Sequence, residues 1–112
     1  MTEDELDKLF DVFYENAPYD YVLSVSERKP KMVKGLCSYD EKVCVVFSPQ
    51  SYLGALYTVL HELAHAIIQH QTHSDVWEKK FVELLTKYDF PRDLALNQGT
   101  IYGPNVKEYA NA

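Results

Sequence analysis

Residues 49–71 form the longest stretch of this chain with one unbroken periodicity, and they constrain the fold more than any other feature. Leu53, Leu56, Leu60, Leu63 and Ile67 recur three to four positions apart, the spacing of one face of an α-helix. Ser48 followed by Pro49 supplies an N-cap and a proline at the first helical position, and no glycine or proline interrupts the run after Gly54. A chain of 112 residues has room for a single core. The stripe on this long helix must face that core.

The flanks read as smaller elements. Thr2 with Glu5 three positions on makes a capping box, and Leu6, Leu9, Phe10 and Phe13 form one apolar stripe, so residues 1–17 are expected as an amphipathic helix closed by Pro18. Residues 19–25 are rich in aromatic and β-branched side chains, and two further short runs, 32–37 and 43–47, surround a polar turn at 38–42. They predict a short antiparallel β-sheet or hairpin within 19–47. After the long helix, Thr72 with Asp75, and Ser74 itself, are cap signals for a following helix to about residue 88 whose buried stripe is Trp77, Phe81, Leu84 and Tyr88. Past Pro91 the periodicity fades, and Asn97-Gln98-Gly99, Gly103-Pro104 and Asn105 predict an irregular tail over 91–112. The expected fold is a single α+β domain over 1–112.

Composition narrows the classes of function. Hydrophobic residues at 46% and charged residues at 25% are ordinary globular usage, which excludes a disordered or fibrous chain. No window approaches the roughly 18 apolar residues that cross a bilayer, and the acidic start is unlike a signal peptide, so a monomeric cytoplasmic protein without membrane attachment is expected. The net charge of -6 sits in residues 1–20, where seven acids face Lys8 alone. Arg28, Lys29, Lys31 and Lys34 form the one basic cluster, a candidate for weak nucleic-acid phosphate contact on an otherwise acidic chain. Cys37 and Cys44 are too few for a cysteine metal site. A hairpin turning on Asp40 and Glu41 would set them directly opposite one another, where a cross-strand bond is sterically conceivable and free thiols are the expectation in a reducing compartment.

Within the long helix stands His61-Glu62-Leu63-Ala64-His65, an H-E-x-x-H motif. Residues four apart lie about 40° apart around a helix and one turn along it, so two imidazoles can converge on one zinc ion. Glu62 projects about 100° from His61, near enough to hold a water at the metal without having to bind the metal. Gly54 and Thr58, both small, precede His61 on the same stripe and either leave room for a substrate or allow close helix packing.

A third ligand is needed. Gln71 and Ile68 stand where the long metzincin motif requires histidine and glycine, which excludes that class. His70 falls roughly opposite His61 on a continuing helix and reads as a surface residue. His73, after the expected break, can fold back toward His61 and His65 and ranks first; Glu78 and Glu83 on the next helix are the carboxylate alternatives. Glu83 also pairs naturally with Lys87 on a solvated face.

The run LHELAHAIIQHQTHSDVWEKKF resembles the SprT-like zinc metalloproteases, in which a helical H-E-x-x-H is followed after a short loop by a third histidine and, four positions later, an aromatic residue. Those positions are His61, Glu62, His65, His73 and Trp77. The preceding VCVVFSP is similar to the strand leading into that family's active-site helix, and the resemblance covers residues 31–88. Ser74 stands where glycine is common, and the 112 residues contain no C-terminal zinc ribbon. The resemblance implies a minimal zincin-type catalytic domain, one Zn2+ ion, and protein substrates that include proteins attached to DNA.

Such a site would have His61, His65 and His73 hold zinc while Glu62 accepts a proton from the attacking water and passes it to the leaving amine. Tyr102 and Tyr109 are candidate donors to the developing oxyanion. A substrate strand is expected beside residues 43–47, held through backbone hydrogen bonds. The alternatives to a zinc endopeptidase are a zinc-binding regulatory or interaction module, and a structural helical protein in which the motif is accidental.

Overall fold

Thr2 opens the first helix as its spacing with Glu5 requires. Its hydroxyl accepts from the Glu5 amide at 3.1 Å while the Glu5 carboxylate accepts from the Thr2 amide at 2.9 Å, and α1 (Glu3–Asn16) turns Leu9, Val12 and Phe13 inward. The molecule is a computed structural model that describes residues 1–30, 33–96 and 103–112. Lys31, Met32 and the turn signals Asn97, Gln98 and Gly99 therefore lie outside the described residues.

Three strands follow, β1 (Val22–Ser26), β2 (Gly35–Ser38) and β3 (Val43–Phe47), arranged in the order β1-β3-β2. β2 and β3 make the expected antiparallel hairpin. β1 corrects the expectation of an all-antiparallel sheet: it runs parallel to β3, from Val22 opposite Val43 to Ser26 opposite Phe47. β1 and β2 therefore lie on opposite sides of β3, about two strand spacings or roughly 10 Å apart. That places Val-Cys-Val-Val-Phe, the most continuously apolar strand, in the centre, where a strand flanked on both sides belongs. Because β1 and β2 flank β3 on both sides, a substrate cannot pair with β3; among the described residues β1 and β2 each keep an unpaired edge, and β2 is the one of the two whose residues line the cavity described below.

The long helix, α2 (Tyr52–Ile68), is shorter at both ends than the periodicity suggests. Ser51, not Ser48, is the N-cap, its hydroxyl accepting from the Gly54 amide at 3.1 Å. Upstream, the Gln50 side-chain amide donates to the Phe47 carbonyl at 2.6 Å and ties the approach to β3. At the other end Gln69 adopts φ 62°, the left-handed region, and its amide donates to the His65 carbonyl at 2.8 Å. The Gln69 side-chain amide donates to the Tyr21 hydroxyl at 2.8 Å and to the Ala66 carbonyl. A tertiary contact thus stops a helix that local sequence would continue to residue 71.

Ser74 caps α3 (Asp75–Lys87) as expected, accepting from the Trp77 amide at 3.1 Å. Two short helices, α4 (Arg92–Ala95) and α5 (Pro104–Ala110), replace part of the expected irregular tail. Pro104 opens α5 rather than a turn, and its fixed φ suits that position. α2 lies at the centre of the domain, against β2 and β3 on one side and against α1 and α3 on others. That is why its buried residues, from Gly54 to Ala66, surround most of its circumference. No described helix is long and apolar enough to cross a membrane.

Candidate metal centre

His61 and His65 lie one turn apart on α2, and the left-handed stop at Gln69 turns the chain so that His73, in the loop before α3, meets them. One ring nitrogen from each falls within 4.8 Å of the other two, so the three could hold a metal ion. His61 Nε2 is 3.3 Å from His65 Nε2 and 3.1 Å from His73 Nε2. A tetrahedral ion with metal–nitrogen bonds of about 2.05 Å would set such nitrogens about 3.3 Å apart, so the spacing matches an edge of zinc's preferred polyhedron. Three imidazoles without a thiolate are also a donor set that zinc accepts.

The surroundings hold these rings neutral and aimed. Burial, reinforced by the neighbouring His65 and His73, pushes His61 down to about 3, and burial also lowers His65 and His73. Neutral imidazole is the form that binds a metal. His65 Nδ1 is 2.6 Å from the His70 carbonyl, which can only accept, so the proton sits on Nδ1 and leaves the Nε2 lone pair facing His61. The His70 ring in turn meets the Ser74 hydroxyl at 2.8 Å. His70 is exposed, as its position suggests, yet it matters through its backbone. Trp77 packs against all three histidines, with centroids 4.8 Å from His61, 5.0 Å from His65 and 4.5 Å from His73, and it rests on Phe81 at 5.1 Å.

Glu62 belongs to the same turn but not to the nitrogen cluster. It is 6% exposed, and burial, with Cys37 nearby, raises its carboxyl to about 8. β2 comes so close here that a Cβ on Gly35 would lie 2.5 Å from Thr58 Cγ2 and 3.2 Å from Glu62 Oε2. Glycine is required at 35 by this approach. A cavity of about 810 Å³ opens over the centre, lined by the three histidines, Glu62 and Thr58, by Val33 to Cys37 of the β2 side, and by Arg28 and Lys29. Thr58 lines it and Gly54 does not, so of the two small residues only Thr58 borders the open space.

The other candidates separate cleanly. Glu78 lies outside the histidine cluster: it is 3% exposed and its carboxylate accepts from the Asn105 amide at 3.0 Å and from the Asn105 side chain at 2.7 Å, anchoring the start of α5. Glu83 is exposed and pairs with Lys80 at 3.1 Å, whereas Lys87 reaches Glu15 at 3.3 Å instead. Tyr109 is buried away from the cavity, its hydroxyl donating to the Phe90 carbonyl at 2.5 Å, which corrects its candidacy as an oxyanion donor; Tyr102 lies outside the described residues. Two tyrosines that sequence reasoning did not single out, Tyr57 and Tyr39, line the cavity, and burial, with Cys37, Tyr21 and Glu62 close by, raises the Tyr39 phenol to about 12. The place of Tyr39 in the polar turn carried no signal. Of the basic cluster, Arg28, Lys29 and Lys34 border the cavity and Lys31 lies outside the described residues.

No family profile, characterised protein or solved structure matches the chain.

Proposed function

We propose that this protein is a zinc-dependent endopeptidase of the SprT-like kind, with His61, His65 and His73 as ligands of one Zn2+ ion and Glu62 as the general base. The observation that carries the reading is the convergence of three neutral imidazole nitrogens beside a buried carboxylate that does not join them, at the floor of an open cavity. When bound, zinc supplies Lewis acidity to a water and to the scissile carbonyl. Glu62 takes the proton from the attacking water and returns it to the leaving amine; a carboxyl raised by burial matches a proton acceptor working near neutral pH. Tyr39 keeps its proton and donates to the oxyanion side of the cavity. The substrate lies extended along the unpaired edge of β2, where backbone hydrogen bonds hold it without reading its sequence. Arg28, Lys29 and Lys34 on the cavity rim suit proteins presented on DNA, with phosphates engaging the cations.

The test is Glu62→Gln. Zinc stoichiometry and melting should stay near wild type while cleavage of an unfolded protein falls by about 10²- to 10⁴-fold, measured by metal analysis and gel assay side by side. Tyr39→Phe in the same assay should lower kcat and leave zinc bound. Loss of metal from Glu62→Gln would make Glu62 a ligand and overturn the assignment. A wild type that holds zinc but cuts neither free nor DNA-bound protein would favour a zinc-binding regulatory module.

A further inference from the structure

Cys37 and Cys44 face each other across the hairpin, Cys37 half-buried on β2 and Cys44 fully buried on β3. The ladder shows which kind of pair they form. The Phe47 amide donates to the Lys34 carbonyl at 3.0 Å, so 34 and 47 are a hydrogen-bonded pair. Counting along the register, 36 with 45 and 38 with 43 are hydrogen-bonded, and 35 with 46 and 37 with 44 are not. Non-hydrogen-bonded partners approach most closely, with Cα atoms about 4.5 Å apart, inside the range a disulfide spans. The sulfurs are already 3.6 Å apart. Bringing them to bonding distance requires a movement of about 1.5 Å, within reach of a change in side-chain torsion and a small strand adjustment.

The pair also occupies a chosen place. Gly35 faces Thr58 and Glu62, and Cys37, two residues along β2, shares that face. Cys37 lines the cavity with Glu62, while Cys44 Sγ lies 3.8 Å from the Glu62 carbonyl oxygen. Only Cys37 is open to a reagent. We propose that Cys37 and Cys44 are a reversible redox modification site that takes a low-molecular-weight disulfide as its co-reactant and forms a cross-strand bond in the wall beside Glu62. Cys37, as thiolate, attacks one sulfur of the reagent, forming a mixed disulfide and releasing one thiolate, which takes up the proton Cys37 gave. Cys44 then gives up its proton and attacks the Cys37 sulfur, expelling the second thiol. The protein sulfurs lose two electrons and the reagent gains them, so one small disulfide becomes two small thiols. The new bond draws the Cys37 sulfur toward β3.

The experiment reads sulfur rather than catalysis, so it stands apart from the peptidase reading. Native, zinc-loaded protein is incubated with oxidised glutathione, alkylated and digested without reduction. Cleavage after Lys34, Lys42 and Lys79 separates the cysteines, so the expected product is peptide 35–42 joined to peptide 43–79, with both protein thiols lost and restored by a dithiol reductant. Cys44→Ser should stop at a glutathione adduct on Cys37, and Cys37→Ser should leave Cys44 unmodified until the fold is opened by denaturant. Wild type that retains two free thiols, or that stops at the adduct as Cys44→Ser does, overturns the proposal.

Discussion

His73 shows how much a single side chain decides here. It is the one nitrogen of the cluster that does not come from α2, and it reaches the others because Gln69 accepts a left-handed backbone that costs a non-glycine residue about 1–2 kcal/mol. Two hydrogen bonds from the Gln69 side chain, each contributing about 1 kcal/mol, offset that cost. His73→Ala should therefore lower zinc affinity as far as His65→Ala does, and by more than the roughly 10- to 100-fold typical of losing an outer partner. His70→Ala should leave affinity close to wild type, because what His70 offers His65 is its carbonyl, which the substitution keeps. Metal content after dialysis against micromolar free zinc separates these outcomes. Equal zinc in wild type and His73→Ala would remove His73 from the site.

Among the elements, the contact of β2 with α2 is the tightest place on which the cavity depends. Gly35→Ala would push a methyl against Thr58 Cγ2 and to 2.9 Å from the Val45 carbonyl, an overpacking that costs about 1–3 kcal/mol in urea unfolding. Adding Thr58→Ser removes the Cγ2 methyl and should recover part of the loss, leaving the clash with the backbone oxygen. A Gly35→Ala protein as stable as wild type would mean that β2 stands further from α2 than its geometry indicates. The strand cannot simply retreat, because its other side is the ladder with β3, whose Cys44 and Val46 are fully buried.

For the molecule as a whole, the three histidines bridge α2 and the loop that leads into α3, so an ion bound by them would tie together two elements otherwise joined by packing around Trp77. An ion that binds only the folded state stabilises it by about 2.7 kcal/mol at 100 times its dissociation constant. For a domain of this size each kcal/mol raises Tm by roughly 4 °C, so zinc at that ratio should raise Tm by about 10 °C. Chelation should reverse the shift, and His73→Ala should lose most of it. An unchanged Tm across a zinc titration that does load the protein would show that the ion makes no link between the two elements.

The amino-acid sequence alone determined what depends on near neighbours along the chain. The capping box at Thr2, the cap at Ser74, the apolar stripe of α2, the pairing of Cys37 with Cys44 and the placing of His61, Glu62 and His65 on one turn all follow from fixed local geometry. Spacing also put His73 first among the third-ligand candidates, with Glu78 and Glu83 still in contention. Only the tertiary structure brings His73 against His61 and His65 and gives the Glu78 carboxylate a different partner in Asn105, 27 residues further on. The same holds for the parallel pairing of β1 with β3, the end of α2 set by Tyr21, the demand for glycine at 35 and the distance of Tyr109 from the cavity. Each of these turns on a partner remote in sequence, and loop closure that brings remote groups together leaves no periodic mark in the residues it joins.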